Sequence, residues 1–356
     1  MASLGHDTGP ARFALKPAAF SELQGWAEDR LSAAIPAFLK SCGRFLTLAD
    51  AVPLDARPNV ADYGRVGAWR ALCEAAAALP PENDAAARRF FETSFIPLAV
   101  ADNGASEGLF TGYYEIELNG SRRRQGRYQT PIYRRPSEPG AATRYSRAEI
   151  EDGALAGRGL ELLWVDDPID AFFLEIQGSG RVRLRNGDTV RVGYDGQNGQ
   201  PYVPIGRLLV ERGVIPRSEA TMMTIRDWMN QHPEAGAALR RENPSYVFFR
   251  ELRGDGPIGA EGVVLTAGRS IAIDRAYIAL GVPNWLEADE RFASAAPVRR
   301  LVVAQDTGGA IKGPVRGDLF WGTGSAGASR AGIMNAHGRY YLLLPRSVAS
   351  RLAPGG

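Results

Sequence analysis

The sequence predicts a mainly β chain fronted by helices, with its C-terminal strands closing into a small barrel. Three observations point there. Residues from about 18 to 100 carry apolar side chains at helical spacing. The texture turns to short strands after Gly108, and from Tyr246 onward apolar runs are separated by Gly, Pro and Asp turns with few helices between them. The chain has 356 residues, 45% hydrophobic and 23% charged, an ordinary globular mix with room for two domains or one large one.

Each element has its own signal. Phe20, Leu23, Trp26, Leu31, Ile35, Phe38 and Leu39 recur near helical spacing. A second helix is predicted over Val66–Leu79, stopped by Pro80-Pro81, and a third over Asp84–Ser94. Leu109–Leu118 and Gln129–Tyr133 read as strands on either side of an Arg-rich turn at Arg122-Arg123-Arg124, itself a solvated tip. Ala171–Gln177 reads as a strand ending at Gly178-Ser179-Gly180. Asn186-Gly187, between Arg181–Leu184 and Thr189–Tyr194, is a strong hairpin signal. Ile205–Arg212 reads as helical, and a helix capped by Ser218 runs to Gln231 with Met222, Ile225 and Met229 on its apolar face. Strands return at Val247–Phe249, Ser270–Ile273, Leu301–Ala304, Leu319–Trp321 and Tyr340–Leu344.

Composition excludes some functions. Lys and Arg number 42 against 40 Asp and Glu, a net +2, which is not the basic excess of a nucleic-acid-binding chain. No apolar run of about 18 residues predicts a transmembrane helix. Met1–Pro10 has no signal-peptide pattern, which leaves a cytoplasmic protein or a processed exported one. Cys42 and Cys73 lie 31 residues apart; spacing leaves two buried thiols and a disulfide both open, and export favours the bridge. His6, His232 and His337 are scattered without paired-ligand spacing, so no metal site is expected.

The chemistry concentrates between Val302 and Gly322, where Asp306 and Asp318 sit among apolar and glycine residues. Burial raises a carboxyl pKa, and a raised pKa suits a general acid near neutrality. Asp274, after Ile271-Ala272-Ile273, is a third aspartate at a strand end. Carboxylates at strand ends can converge at one end of a barrel, yet each equally fits a turn cap beside glycine. Glycoside cleavage is the first chemistry such a set suggests, with Glu115, Glu175 or Asp195 as a second carboxylate, or with one acid alone if the substrate supplies its own nucleophile. Aromatic and amide side chains near the strands (Tyr113, Tyr114, Tyr133, Trp164, Gln177, Trp321) suit sugar rings, and equally suit a core. A dinucleotide site lacks its strand, glycine loop and helix context, and a serine-hydrolase reading of Thr111 or Ser179 lacks a histidine partner.

Four ordered motifs carry a resemblance. Gly108-Leu109-Phe110-Thr111-Gly112-Tyr113-Tyr114-Glu115, Phe172–Gly180, Glu242–Phe249 and Ala304–Gly313, closed by Gly322-Thr323-Gly324 and Arg330-Ala331-Gly332, resemble the membrane-bound lytic murein transglycosylase A (MltA) family. The C-terminal part resembles the 3D domain, whose three aspartates fall on Asp274, Asp306 and Asp318. The resemblance implies a double-psi β-barrel built from residues 1–109 and 245–356, with a smaller β-rich substrate-binding domain inserted at 110–244 and a groove between the two. It implies cleavage of the β-1,4 bond between N-acetylmuramic acid and N-acetylglucosamine in peptidoglycan, leaving 1,6-anhydro ends.

Asp318 takes the place of the family's acid, with Asp306 orienting groups or raising its pKa. Thr111, Tyr113, Tyr114, Gln177, Gly178, Ser179 and Asp274 become the substrate-binding candidates. No cofactor is implied; the partner is the glycan strand, and the place is the periplasm, with outer-membrane association in relatives. Two departures stand out. The segment Gly313–Asp318 is one residue longer than the family's spacing, and the lipid-anchoring cysteine of relatives has no counterpart. The alternatives are a hydrolase using a second carboxylate, or a peptidoglycan-binding module without activity.

Overall fold

The computed structural model describes residues 13–57, 61–138, 140, 144–254, 256–290 and 296–352; the opening segment Met1–Pro10 lies outside them. In chain order the strands are β1 (Phe13–Pro17), β2 (Phe95–Asp102), β3 (Gly108–Ser121), β4 (Thr130–Tyr133), β5 (Glu161–Val165), β6 (Ser179–Leu184), β7 (Thr189–Gln197), β8 (Val247–Leu252), β9 (Ser270–Ile273), β10 (Pro283–Glu290), β11 (Val298–Asp306), β12 (Arg316–Thr323) and β13 (Asn335–Pro345). The helices are α1 (Ile35–Phe45), α2 (Val66–Ala77), α3 (Asp84–Ser94), the short turn α4 (Arg147–Glu149), α5 (Pro168–Gln177), α6 (Ile205–Glu211), α7 (Met222–Gln231), α8 (Pro233–Arg241), α9 (Gly324–Ala331) and α10 (Arg346–Leu352). The chain is therefore mixed helix and sheet. The expected mainly β character holds only in part, because α4 to α8 all fall inside the span expected to be β-rich.

The chain divides into two units. The first comprises Met1–Gly112, Ile258–Trp321 and Met334–Gly356. Its strands run in the order β1-β2-β13-β10-β11-β9-β12, with β3 next to β12. The start of β3 also pairs with β13, Thr111 opposite Asn335. The β11–β9 pair is parallel. Parallel strands covered on both faces read as continuous apolar runs, and Leu301, Val302, Val303 and Ala304 are all fully buried. Helices α1 to α3 cover this sheet. Ile35, Phe38, Cys42 and Phe45 line the buried face of α1, three or four residues apart. Phe38, Phe45, Trp69, Phe91 and Phe95 join Trp285 and Leu342–Leu344 in one core. Cys42 and Cys73 are disulfide-bonded, tying α1 to α2.

The second unit comprises Tyr113–Pro257 and Gly322–Ile333. Ile116–Gly120 of β3 run parallel to Gly180–Leu184 of β6; β6 and β7 form the predicted hairpin, and β8 follows β7. The hairpin turn holds Gly187 at φ 90°, a left-handed conformation that glycine adopts without strain.

The stretch Ala171–Gln177 is a helix, not the predicted strand. Asp167 caps it by accepting from the Ile169 N–H at 2.7 Å, Pro168 holds the first turn, and Gly178 at φ 75° ends it. Ala171, Phe172, Phe173 and Leu174 are all buried, so the run shows no helical period to the eye. Its end signals, not its interior, specify the helix. Likewise Thr221, not Ser218, caps α7, accepting from Thr224 N–H.

Candidate active site

In the first unit, strand pairing brings two of the three aspartates into one row. On β11 and β12 respectively, Asp306 and Asp318 are each in register with Ala272 of the intervening β9. Registered residues on neighbouring strands share a face, and two strand spacings place their Cα atoms roughly 10 Å apart. A β-bulge between Ala304 and Asp306 makes this possible. It turns Gln305 into the core, where its amide accepts from Ser270 Oγ at 2.6 Å and donates to Ala37 O at 2.8 Å.

The partly buried Asp318 is held by side chains. The Thr111 hydroxyl donates to Asp318 Oδ1 at 2.9 Å. Arg316, two residues earlier on the same strand and so on the same face, donates from Nη2 to Thr111 Oγ1 at 2.9 Å. The hydroxyl thus accepts from the guanidinium and must turn its own proton to Asp318. Burial pushes the Asp318 carboxyl up to about 6; Arg316's charge and the Thr111 bond pull it down, and Asp306's charge pushes it up again. No sequence motif singles out Arg316. Its spacing of two from an acid on a strand is the signal that could have found it. Burial lowers the pKa of its guanidinium, with Asp318 and Tyr340 opposing that shift.

The other two aspartates bind backbone. Asp306 Oδ1 accepts from Ala260 N–H and Thr307 N–H, both at 2.9 Å. Asp274 Oδ1 accepts from Ala276 N–H at 3.0 Å, and its Oδ2 accepts from Gly313 N–H at 2.9 Å, which pins the loop before Asp318. Close approach also shapes this loop. A Cβ on Gly108 would lie 1.7 Å from Val315 O, so only glycine fits where β3 begins.

The second unit gathers the remaining candidates. Gln177 Oε1 accepts from Tyr114 N–H at 3.0 Å. Gly178 O accepts from Tyr194 N–H at 2.8 Å, and Ser179 pairs with Gly193 at the start of β6. Tyr113, at the head of this unit, is buried, as is Tyr114. Two proposed second carboxylates are already committed to arginine. Glu175 takes a two-armed bond from Arg147 at 2.9 and 2.8 Å and a third from Val247 N–H at 2.8 Å. Glu115, fully buried, accepts from Arg191 at 2.7 and 2.8 Å. Asp195 lies 3.8 Å from Arg250. Among the described residues, no three His, Cys, Asp or Glu converge as metal ligands, and no helix is long and apolar enough to cross a membrane.

A model of the MltA specific insert domain matches residues 109–250, and a model of the 3D domain matches residues 269–344. Fold and matches together define a lytic transglycosylase. Membrane-bound lytic murein transglycosylase A of Vibrio cholerae is 36% identical over 258 residues, 70% of this chain and 69% of that protein. A solved membrane-bound lytic murein transglycosylase from Agrobacterium tumefaciens superposes with a TM-score of 0.83 at 33% identity, covering 96% of this chain and all of that one. The Escherichia coli MltA structure with bound chitohexaose gives a TM-score of 0.69 at 27% identity, with 95% of each chain covered. The chain belongs to the membrane-bound lytic murein transglycosylase A family.

Proposed function

We propose that this enzyme cleaves peptidoglycan glycan strands with Asp318 as its one acid–base group. The carrying observation is a carboxyl raised to about 6 by burial, with one oxygen fixed by Thr111. Oδ1 already accepts a proton donor, so the transferable proton sits on Oδ2. In the first step Oδ2–H gives its proton to the oxygen leaving C1 of N-acetylmuramic acid as the C1–O bond breaks. In the second, the C6 hydroxyl of the same sugar bonds to C1 and its proton returns to Asp318. No water is consumed, the product end is a 1,6-anhydro sugar, and the enzyme ends as it began. One residue acting first as acid and then as base needs a pKa near the working pH.

The bonding of the other carboxylates supports a single acid. Arg147 and Arg191 occupy Glu175 and Glu115, and Asp306 serves two backbone donors. Asp306 acts on Asp318 by its charge, and Asp274 by holding the Gly313 loop. Thr111, Tyr113, Tyr114, Gln177, Gly178 and Ser179 remain the residues proposed to line the sugar path, with residues 110–244 as the substrate-binding insert. The strand order β13-β10-β11-β9-β12-β3, returning to β13, supports the double-psi barrel. The Cys42–Cys73 bridge fits an oxidising compartment, here the periplasm at a membrane surface.

Mass spectrometry of products from isolated peptidoglycan in heavy-oxygen water is the test. Anhydro ends without solvent oxygen are expected; reducing ends carrying it would replace this reading with hydrolysis.

A further inference from the structure

The second unit holds a cavity of about 330 Å³ that includes neither Asp318 nor any residue proposed above to line the sugar path; Glu175, already clamped by Arg147, is among its lining residues. Tyr133, Trp164, Phe172 and Tyr246 give it aromatic walls, and Arg240 of α8 reaches it from another side. Arg240 is only 8% exposed. Its Nε has no hydrogen-bond partner, and no carboxylate lies within ion-pair distance of its guanidinium among the described residues. The neighbouring buried arginine is treated differently. Arg147 donates to Glu175, Asn243 O and Ser245 O, and lies 3.6 Å from Glu151. The fold therefore gives one buried guanidinium an ion pair and leaves the next without one.

A buried cation without a counter-ion is costly, and burial accordingly lowers the pKa of Arg240. Glu151, Asp167 and Glu175 act on Arg240 by their charge and partly offset the burial, but none of them is ion-paired with it. The guanidinium fork matches a carboxylate in shape and charge. One guanidinium without an ion pair, with carboxylates nearby, suits a monoanion better than a phosphate, and Glu151 among the lining groups suits a ligand that also carries N–H donors. The volume is at the lower end for small-molecule sites, about right for two small residues.

We propose that this cavity binds the carboxylate end of a short peptide, with Arg240 as its counter-ion and Trp164 and Tyr133 holding its apolar part. That the peptide is the stem of the peptidoglycan substrate rests on the function proposed above; the carboxylate site itself does not.

Calorimetric titration of the full chain with D-alanyl-D-alanine and with its C-terminal amide tests this. The acid is expected to bind at least 10-fold more tightly than the amide. Arg240→Gln should erase that difference and raise the melting temperature, since it removes a buried charge that has no ion pair and whose burial outweighs its neighbours' attraction. Trp164→Ala should weaken the acid severalfold and serves if Arg240→Gln fails to fold. Asp318→Asn should bind as the native chain does, so failure of the catalytic reading leaves this readout untouched. Equal binding of acid and amide, no binding of either at millimolar concentration, or full binding by folded Arg240→Gln would overturn the site. Equal binding of L-alanyl-L-alanine would overturn its assignment to the stem.

Discussion

The hydroxyl of Thr111 and the carboxylate of Asp318 are joined by a 2.9 Å hydrogen bond across 207 residues of chain. Arg316 donates to that same hydroxyl, so its proton has one direction left, toward Asp318. The bond favours the ionised carboxylate, against burial, which favours the acid. Thr111→Val removes the donor and keeps the volume. The Asp318 pKa should rise, and the alkaline limb of kcat/KM should move up by about 0.5–1 pH unit. Arg316→Gln should move it the same way. A limb that stays put in both variants would detach Asp318 from the observed titration.

Asp318→Asn should lower kcat by about 10²–10⁴-fold while glycan binding persists. It should also stabilise the fold, and the sign follows from linkage. The folded-state pKa is raised to about 6 from an ordinary 3.8, so between these values the folded chain holds a proton that the unfolded chain has released. Stability falls as pH rises through that window and stays low above it. The variant should gain about 2 kcal/mol at pH 7.5 after allowing for solvent screening, and nothing near pH 3.5. Urea melts at the two pH values measure this.

Much of this site was legible in the sequence because its motifs are local. The apolar run ending at Asp306 and the Gly317-Asp318 step announce acids in dry surroundings. Two things were not legible. Register is a tertiary fact, so the common pairing of Asp306 and Asp318 with Ala272 needed the sheet. Partnership is another: Glu175 looks as available as Asp318 until Arg147, 28 residues away, is found clamped on it. The helix at Phe172–Leu174 was missed because burial on several sides hides the period.

Glu175→Gln separates structure from chemistry. It leaves Arg147 buried with its main charge partner gone, and removing one member of a buried pair costs about 3–5 kcal/mol. A large drop in melting temperature is expected, with near-native specific activity in the fraction that stays folded below it. Selective loss of kcat in a fully folded variant would instead restore Glu175 as a reacting carboxylate.

The Cys42–Cys73 bridge closes a loop of 31 residues between α1 and α2. Cross-linking a loop of that length lowers the entropy of the unfolded chain by the equivalent of about 3–4 kcal/mol. The paired replacement of both cysteines by alanine should lose that much in urea melts. Added reductant should destabilise the native chain and leave the double variant unchanged.

Glu261 offers a pH effect outside the reacting group. It is 4% exposed; its Oε2 accepts from Ser41 Oγ at 2.7 Å, and Oε1 has no hydrogen-bond partner among the described residues, with Arg44 at 3.8 Å. Burial pushes its carboxyl up to about 7, with Ser41 and Arg44 pulling the other way. The folded chain therefore keeps this proton between pH 4.5 and 7 while the unfolded chain gives it up, and stability falls as pH rises through that interval. Glu261→Gln removes the ionisation. Near pH 8 the variant should be more stable than the native chain by about 2 kcal/mol, and near pH 4 the gain should vanish. The residue beside it, Ala260, donates to Asp306, the neighbour whose charge acts on Asp318. Equal stability of both chains at pH 8 would mean that Glu261 is ionised there without cost.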